Sequence, residues 1–146
     1  AMIRRYFEDE MMAEEIINNG FLRVFSKIHL FEFKGSFEGW VRRIMHNAVA
    51  DYARNNLKFQ QHTVLDDKEY HIAKKESNNL FYQDLLKLID TLPQTTKVVF
   101  NMFVLDGLPH KEIAQMLNIS ENTSKWHVCE AKKQLKVKIE TLNLHK

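Results

Sequence analysis

The sequence predicts an all-α protein of two small helical domains joined by a flexible, polar linker. Four glycines and two prolines in 146 residues leave little turn chemistry. Apolar residues recur at helical spacings along most of the chain, and no clear alternating run marks a strand. Between residues 57 and 79 this periodicity fades into a polar and charged stretch. We therefore expect domains at residues 1–56 and 80–146, with the linker at residues 57–79.

The first domain is expected to contain two amphipathic helices separated by a short loop. From residue 12 to residue 28, apolar side chains recur at spacings of four, three and four and form one stripe, made of Ile17, Phe21, Val24 and Ile28. The segment FEFKGSFEGW, residues 31–40, interrupts this pattern with two glycines. Ser36 is placed to cap the next helix, with Gly39 and Trp40 in its first turn. That helix has a broad apolar face, formed by Trp40, Val41, Ile44, Met45, Ala48, Val49 and Tyr52.

The second domain is expected to begin with two helices of its own. Residues 80–92 are apolar and periodic. Pro93 suits the first turn of the next helix, because a proline there gives up no helical hydrogen bond. Gly107 is then expected to end that helix.

The last part of the chain has the proportions of a helix-turn-helix. HKEIAQML (110–117) is followed by the short turn NIS (118–120) and a longer helix over residues 121–136. Ile119 is expected to fill the turn and Ser120 to cap the last helix. An αα-hairpin bearing lysines has the same spacing, so this pattern alone leaves two interpretations open.

The faces of the last helix favour contact with duplex DNA. Its inward face falls at spacings of four, three and four, at Ser124, Val128, Ala131 and Leu135. The opposite face presents amide, ammonium and aromatic groups at Asn122, Lys125, Trp126, Cys129 and Lys133, with His127 and Lys132 at its flanks. Such groups on an outward N-terminal half are what reading of the major groove requires. The alternative is that Trp126 belongs to a surface for a protein partner.

Charge is distributed in blocks that a net charge of +2 conceals. Residues 34–58 hold five basic and two acidic side chains, and residues 107–146 hold seven and four. The segments before each of them, residues 1–33 and 59–106, are net acidic. Basic blocks suggest contact with a polyanion and acidic blocks suggest a basic protein surface, although solvated helix faces would also account for charges of this size.

Other classes of function find little support. One cysteine excludes an internal disulfide framework, and no apolar run approaches the roughly 20 residues needed to span a bilayer, so we expect a cytoplasmic protein with no membrane insertion. His127 and Cys129 point roughly 200° apart on a helix and cannot chelate one metal ion together. There is no phosphate-binding loop, nucleophile elbow or paired acid motif. We expect no enzyme activity, cofactor, metal or small-molecule substrate.

Two segments resemble one family. LPHKEIAQMLNISENTSKWHVCEAKKQL resembles the fourth conserved region of bacterial RNA polymerase sigma factors, the region that reads promoters. RRYFEDEMMAEEIINNGFLRVFSKI and FKGSFEGWVRRIMHNAVADYARNN resemble the second conserved region. Two regions in this order resemble the extracytoplasmic-function (ECF) group of the sigma-70 family. Against that pattern we expect the first domain to be short at its N-terminus.

The resemblance implies a promoter-specificity factor that binds core RNA polymerase and promoter DNA. An anti-sigma protein is a further partner in the family pattern. Docking on the polymerase would use the acidic and aromatic positions Glu14, Glu15, Asn18, Phe21 and Phe25. Opening of the −10 element would use a base platform, a close backbone approach, cations and a hydrogen-bonding amide, at Lys34, Gly35, Ser36, Phe37, Trp40, Arg42, Arg43 and Asn47. Reading of the −35 element would use Lys111, Asn122, Thr123, Lys125, Trp126, His127, Lys132 and Lys133.

Two alternatives stand beside this interpretation. One is a helix-turn-helix regulator that has an N-terminal oligomerisation domain and acts without docking on polymerase, and the other is a truncated decoy that binds polymerase without initiating. The basic aromatic segment GSFEGWVRR discriminates against the first, because an oligomerisation domain has no need of it. Trp126 stands where the family commonly has a small residue. Its indole could meet a thymine methyl group or lie along the sugar backbone.

Overall fold

The computed structural model describes residues 2–59 and 79–144, with the backbone alone at residues 79–81 and 143–144. Its helices are α1 (Glu10–Lys27), α2 (Phe37–Asn56), α3 (Asn79–Asp90), α4 (Gln94–Phe100), α5 (His110–Leu117) and α6 (Glu121–Leu144). No strand occurs in the part of the chain that the structure describes, and the predicted all-α class is confirmed. None of the described helices is long and apolar enough to cross a membrane.

The chain divides into two compact units, Ala1–Lys58 and Phe59–Lys146. This division falls near the start of the predicted linker. Most of that linker, residues 60–78, lies outside the described residues. Each unit is therefore described by itself.

The first unit is a pair of packed helices, α1 and α2, preceded by a 3-10 turn at Ile3–Arg5. Asp9 caps α1, because its carboxylate accepts hydrogen bonds from the backbone N–H groups of Met11 and Met12 at 2.9 and 3.2 Å. Arg23 on α1 and Asp51 on α2 form an ion pair of 2.7 Å. This ion pair joins the C-terminal half of α1 to the C-terminal half of α2.

The buried face of α1 is not the predicted apolar stripe. The buried residues are Ala13, Ile16, Gly20 and Val24, whereas Phe21 and Ile28 are about half exposed. The reason is close helix packing: a Cβ at position 20 would lie 2.2 Å from Met45 Sδ, so α2 sits against bare backbone there. A prediction based on the spacing of large apolar residues does not count alanine and glycine, so it misses a contact face that contains them. The prediction was right only for Val24 and, in part, for the half-buried Ile17.

The second unit has a core shared by α3, α4 and α6. Ile89, Leu92, Phe100, Ala131 and Leu135 form one buried cluster, with Leu85, Leu86 and Leu88 packed against it. The predicted helix from Pro93 to Gly107 is interrupted. α4 ends at Phe100 and continues as a π-helical segment, Asn101–Leu105, before Gly107 at a φ of 71°. Gly107 therefore lies in the left-handed conformation that ends helices.

The helix-turn-helix matches its prediction closely at its first helix and turn. α5 has the predicted bounds, Asn118 ends it with a left-handed φ of 55°, and Ile119 is buried in the turn. The last helix is longer than predicted and reaches Leu144 rather than residue 136. Residues 137–144 contain no glycine or proline to stop it, and the Lys138 ammonium group donates to the Thr91 hydroxyl of the same unit.

Candidate nucleic-acid interface

Four aromatic rings form a cluster in the loop before α2 and in the first turn of α2. Phe31 lies at its centre, with ring centroids 5.1 Å from Phe33, 5.3 Å from Phe37 and 5.4 Å from Trp40. Phe37 and Trp40 stack on each other at 5.8 Å and 25°. We call these four residues the aromatic cluster. Two of its members turn outward, Phe33 at 88% and Phe37 at 47% exposed, whereas Phe31 and Trp40 are half-buried.

The backbone under the aromatic cluster is shaped by residues 33–36. Phe33 has a φ of 58°, a left-handed conformation that is unusual for a bulky residue, and Gly35 follows at 78°. Ser36 then caps α2 as predicted, because its hydroxyl accepts from the Gly39 N–H at 3.2 Å. A strained and exposed phenylalanine is poor for stability, and backbone strain of this kind clusters at ligand-binding sites.

Cationic and amide groups lie beside the aromatic cluster. The side chains of Lys34 and Arg42 are 86% and 62% exposed, and each faces an acid, Glu32 at 3.3 Å and Glu38 at 3.5 Å. Such solvated pairs contribute little energy and open readily toward a phosphate. Arg43 and Asn47 are exposed one and two turns after Trp40, which places all three along one face of α2. Stacking groups next to cations are what single-stranded nucleic acid binds.

The face of α1 opposite its core is exposed and partly apolar. Glu14, Asn18, Phe21 and Phe25 follow each other at spacings of four, three and four, and Glu15 flanks them. Phe25 is 70% exposed, and Met11 and Leu22 extend the apolar area along the same face. We call this surface the outer stripe of α1. Contiguous apolar groups at the surface with an acidic edge mark a site for a protein partner.

In the second unit α6 presents polar groups on the face away from its core. Asn122, Lys125 and Lys133 are exposed, and Trp126, Cys129 and Lys132 are half-buried. Lys111 is exposed in the first turn of α5. The four residues predicted to face inward, Ser124, Val128, Ala131 and Leu135, are all buried. The predicted orientation of α6 in its own unit therefore agrees with the structure.

Residues 1–58 match the family described as Sigma-70 region 2, and residues 82–135 match Sigma-70, region 4. The chain belongs to the sigma-70 family. The order of its two regions and its similarity to an ECF factor place it in the extracytoplasmic-function group. From here on, the two units are the region 2 unit and the region 4 unit.

Three curated relatives are similar to this sigma-70 family chain. An ECF RNA polymerase sigma factor, SigE of Mycolicibacterium smegmatis, is 25% identical over 130 residues, which are 85% of this chain and 50% of that protein. A probable RNA polymerase sigma factor of Haemophilus influenzae is 23% identical, over 85% of this chain and 75% of that protein. RNA polymerase sigma factor SigV of Bacillus subtilis is 21% identical, over 92% of this chain and 80% of that protein. The chain thus spans half the length of SigE and more of the other two.

Two side chains predicted to contact DNA are buried in the region 4 unit, and this corrects the prediction. Thr123 is fully buried, and its hydroxyl lies 2.8 Å from that of Ser120, which also accepts from the Thr123 N–H at 3.0 Å. His127 is 3% exposed and lies 2.9 Å from the Thr96 hydroxyl of α4. α6 packs on both α4 and α5, so its inward face is wider than the single stripe used in the prediction.

A histidine outside the predicted set joins the two helices of the region 4 helix-turn-helix. His110, the first residue of α5, stacks on Phe103 at 4.1 Å, and its Nδ1 is hydrogen-bonded to the Ser124 hydroxyl of α6 at 2.8 Å. Burial lowers the pKa of His110 below its ordinary value, and the positive charge of Lys125 lowers it further. A neutral imidazole therefore holds the N-termini of α5 and α6 together.

Sequence reasoning also missed members of the region 2 surfaces. Phe33 was not among the predicted site residues, yet it is the most exposed ring of the aromatic cluster. Its conformation at positive φ is invisible in the sequence, since the residue itself gives no sign of it. Met11 and Leu22 could have been found, because they lie three or four residues from Glu14, Asn18 and Phe25.

Proposed function

We propose that this chain is a promoter-specificity factor that binds core RNA polymerase and directs transcription initiation at promoters with −10 and −35 elements. One observation supports this role above the others. A single chain combines a region 2 unit, with an exposed aromatic cluster beside cations, and a region 4 unit, with a polar outward face on its recognition helix. The first suits an opened strand and the second an intact duplex.

Docking on the polymerase is proposed for the outer stripe of α1. Phe21 and Phe25 would provide the apolar anchors, since large aromatic side chains contribute most of the binding energy at such interfaces. Glu14 and Glu15 would steer the helix toward a basic surface, and Asn18, one turn after them, would add hydrogen bonds. All five are exposed in the structure.

Opening of the −10 element is proposed for the aromatic cluster and its cations. Phe33, Phe37 and Trp40 would receive an unstacked base, at a cost of a few kcal/mol in lost base stacking that contacts with the flipped base must offset. Gly35, which has no side chain, would let the protein backbone approach the opened DNA strand closely. Phosphates or base edges would be bound by the cationic and polar side chains on either side of the aromatic cluster, which are Lys34, Ser36, Arg42, Arg43 and Asn47.

Reading of the −35 element is proposed for the N-terminal half of α6. Asn122, Lys125 and Trp126 would face base edges or the nearest phosphates. Lys111, Lys132 and Lys133 would contact the DNA phosphates on either side of the base pairs that α6 reads. Thr123 and His127 are not among the proposed contacts, because both are buried.

Transcription from a promoter library with purified components tests the role. Core RNA polymerase with this chain should produce transcripts from defined starts on linear templates with randomised upstream sequence, and the polymerase alone should not. Upstream of these starts, two enriched motifs should stand a fixed distance apart. Duplex binding that needs no polymerase would instead support the one-site regulator, and polymerase binding without transcripts would support the decoy.

A pair of variants links the outcome to docking. Phe21→Ala combined with Phe25→Ala should lower the affinity for core polymerase by at least about tenfold, as expected for two interface anchors. Ser26→Ala is the matched control, since Ser26 is exposed on α1 and its hydroxyl bonds to the Leu22 carbonyl of the same helix. Equal affinity of both variants would remove the outer stripe from the polymerase interface.

Two further features belong to the proposal. In this role the chain catalyses nothing itself, and it works in the cytoplasm, where the polymerase and the nucleoid are. An anti-sigma protein stays a prediction from the family resemblance. Pull-down with the chain as bait, compared before and after the Phe21→Ala and Phe25→Ala changes, would test whether such a partner uses the same surface.

A further inference from the structure

A buried polar contact involves the residue next to Trp126 in the region 4 unit. His127 is 3% exposed, and its Nδ1 lies 2.9 Å from the Thr96 hydroxyl, which is also buried. The imidazole also meets the Trp126 indole edge to face, with ring centroids 5.0 Å apart and planes at 82°. The contacts therefore run from α4 through His127 to Trp126 on α6.

Each contact in this series restricts the next. The hydrogen bond to Thr96 fixes the rotation of the imidazole, because rotating the ring away would leave a buried nitrogen without this partner and would cost free energy. Edge-to-face packing is an attractive arrangement of two aromatic rings at this separation. It holds the indole at one orientation, while the half-exposed position of Trp126 leaves part of the ring accessible. Asn122, one helical turn before Trp126, and Lys125, the residue immediately before it, are both exposed.

We propose that Thr96 and His127 are positioning residues that orient the Trp126 indole for sequence reading by α6. The inference rests on the proposed reading of duplex DNA by this helix. A side chain that is already ordered loses less freedom on binding, and it offers its apolar edge at one place in the groove. The indole then discriminates at one or two neighbouring base pairs, and Thr96 and His127 act through it without touching DNA.

Fluorescence quenching tests the positioning without any DNA. The chain has two tryptophans, so Trp40→Phe leaves Trp126 as its sole indole emitter. In that background Thr96→Val, which keeps the side-chain shape and loses the hydroxyl, should increase quenching of Trp126 by acrylamide. Thr96→Ser, which keeps the hydroxyl, should not. Equal quenching in the valine and serine variants would overturn the positioning role.

Thermal unfolding by circular dichroism separates this effect from a general loosening of the fold. His127→Phe provides a second route, since it retains a ring beside Trp126 but cannot bond to Thr96. If Thr96→Val is unfolded at the temperature of the assay, His127→Phe takes its place. Unchanged quenching in a folded His127→Phe variant would count against the proposal in the same way.

Base-pair selectivity tests the consequence for DNA. The probe is a duplex selected from a random pool by holoenzyme assembled with the wild-type chain, compared with the same duplex changed one base pair at a time. Trp126→Ala should lower selectivity at one or two neighbouring pairs by about tenfold, the size of one base contact. Thr96→Val should lower it at those same pairs, Thr96→Ser should retain it, and Thr96→Val should add nothing in the Trp126→Ala background.

The outcomes separate the two proposals. If wild-type holoenzyme selects no sequence, the proposed function fails, while the quenching result still decides whether Thr96 and His127 position the indole. If the wild type selects a sequence but Thr96→Val weakens binding equally at every base pair, the positioning role fails and the proposed function stands. The positioning role would also be rejected if Thr96→Val lowered base-pair selectivity in the Trp126→Ala background as much as it does in the wild type.

Discussion

Phe37 illustrates how exposure at a single residue can indicate function. It is half exposed, stacks on Trp40 and contacts Phe31, although a phenylalanine at the first position of a helix could pack inward. The neighbouring Phe33 is held at positive φ, which costs of order 1 kcal/mol or more for a residue of this size. The strain at Phe33 and the exposed face of Phe37 do not benefit the isolated fold, and a base that stacks on the rings, as proposed above, would account for both.

Replacing Phe37 with alanine should therefore affect strand opening more than initial binding. Loss of one stacking ring removes about 1–3 kcal/mol, so we expect opening to fall by about tenfold or more. Closed-complex formation at low temperature should change little. Permanganate reactivity of unpaired thymines measures the first quantity and filter binding the second. Phe37→Tyr keeps the ring and should behave like the wild type, and equal loss of both quantities in Phe37→Ala would remove Phe37 from opening.

Lys125 allows a second test at the scale of one residue. It is exposed on α6 one position before Trp126. If it contacts a phosphate, Lys125→Ala should weaken holoenzyme binding to the selected duplex and reduce the slope of log affinity against log salt by about 0.9. Lys87→Ala, an exposed lysine on α3 of the same unit, should leave the slope unchanged. A wild-type slope in Lys125→Ala would place Lys125 away from the phosphates.

Single residues were predicted less well where packing depends on small or polar side chains. Gly20 and Ala13 belong to the contact face of α1, yet neither has the apolar bulk that a periodic pattern detects. Thr123 and His127 are polar and were therefore expected outside, but each finds a hydrogen-bond partner inside. Burial of a polar group depends on a partner from another element, and a one-dimensional pattern does not contain that information.

At the scale of whole elements the sequence was more informative. Ser36 caps α2 and Ser120 caps α6 as predicted, because capping depends on a serine and the next three residues alone. α5 has its predicted bounds for a similar reason, as local signals define both its ends. The π-helical segment Asn101–Leu105 was missed. Such a widened turn has no sequence signature of its own.

α3 and α4 are joined by an ion pair whose ammonium group is almost fully buried. Lys97 on α4 is 2% exposed, and its Nζ lies 3.1 Å from the Asp90 carboxylate, whose side chain is 35% exposed. Asp90→Asn would leave the buried charge uncompensated, so we expect the free energy of unfolding to fall by about 3 kcal/mol. Lys97→Met removes the charge and keeps the stem, and should cost less than about 1.5 kcal/mol.

Urea unfolding followed by Trp126 fluorescence in the Trp40→Phe background measures both changes in the region 4 unit. The two variants remove the same ion pair, so each serves as the control for the other. If they lost equal stability, the uncompensated charge would not be the cause, and the contribution of Lys97 would lie in the packing of its stem.

For the whole molecule, two units with separate cores suggest two separate stabilities. Ile16, Val24 and Val49 are buried in the region 2 unit, and Ile89 and Leu135 in the region 4 unit. The two-domain organisation was predicted because residues 57–79 are polar and charged, and their scattered apolar residues follow no helical period. We expect each unit to fold on its own, which would suit a factor proposed to contact two separate promoter elements.

We expect a core substitution in one unit to leave the other unit intact. Leu135→Ala should destabilise the region 4 unit by about 2–5 kcal/mol, the usual result of truncating a fully buried leucine. Amide hydrogen exchange measured by NMR should then accelerate in α3, α4 and α6 and stay unchanged in α1 and α2. Ile16→Ala is the reciprocal variant, with the faster exchange expected in α1 and α2 alone. Accelerated exchange in both units after either substitution would show that the chain unfolds as one cooperative body, and the promoter contacts would then depend on a single shared stability.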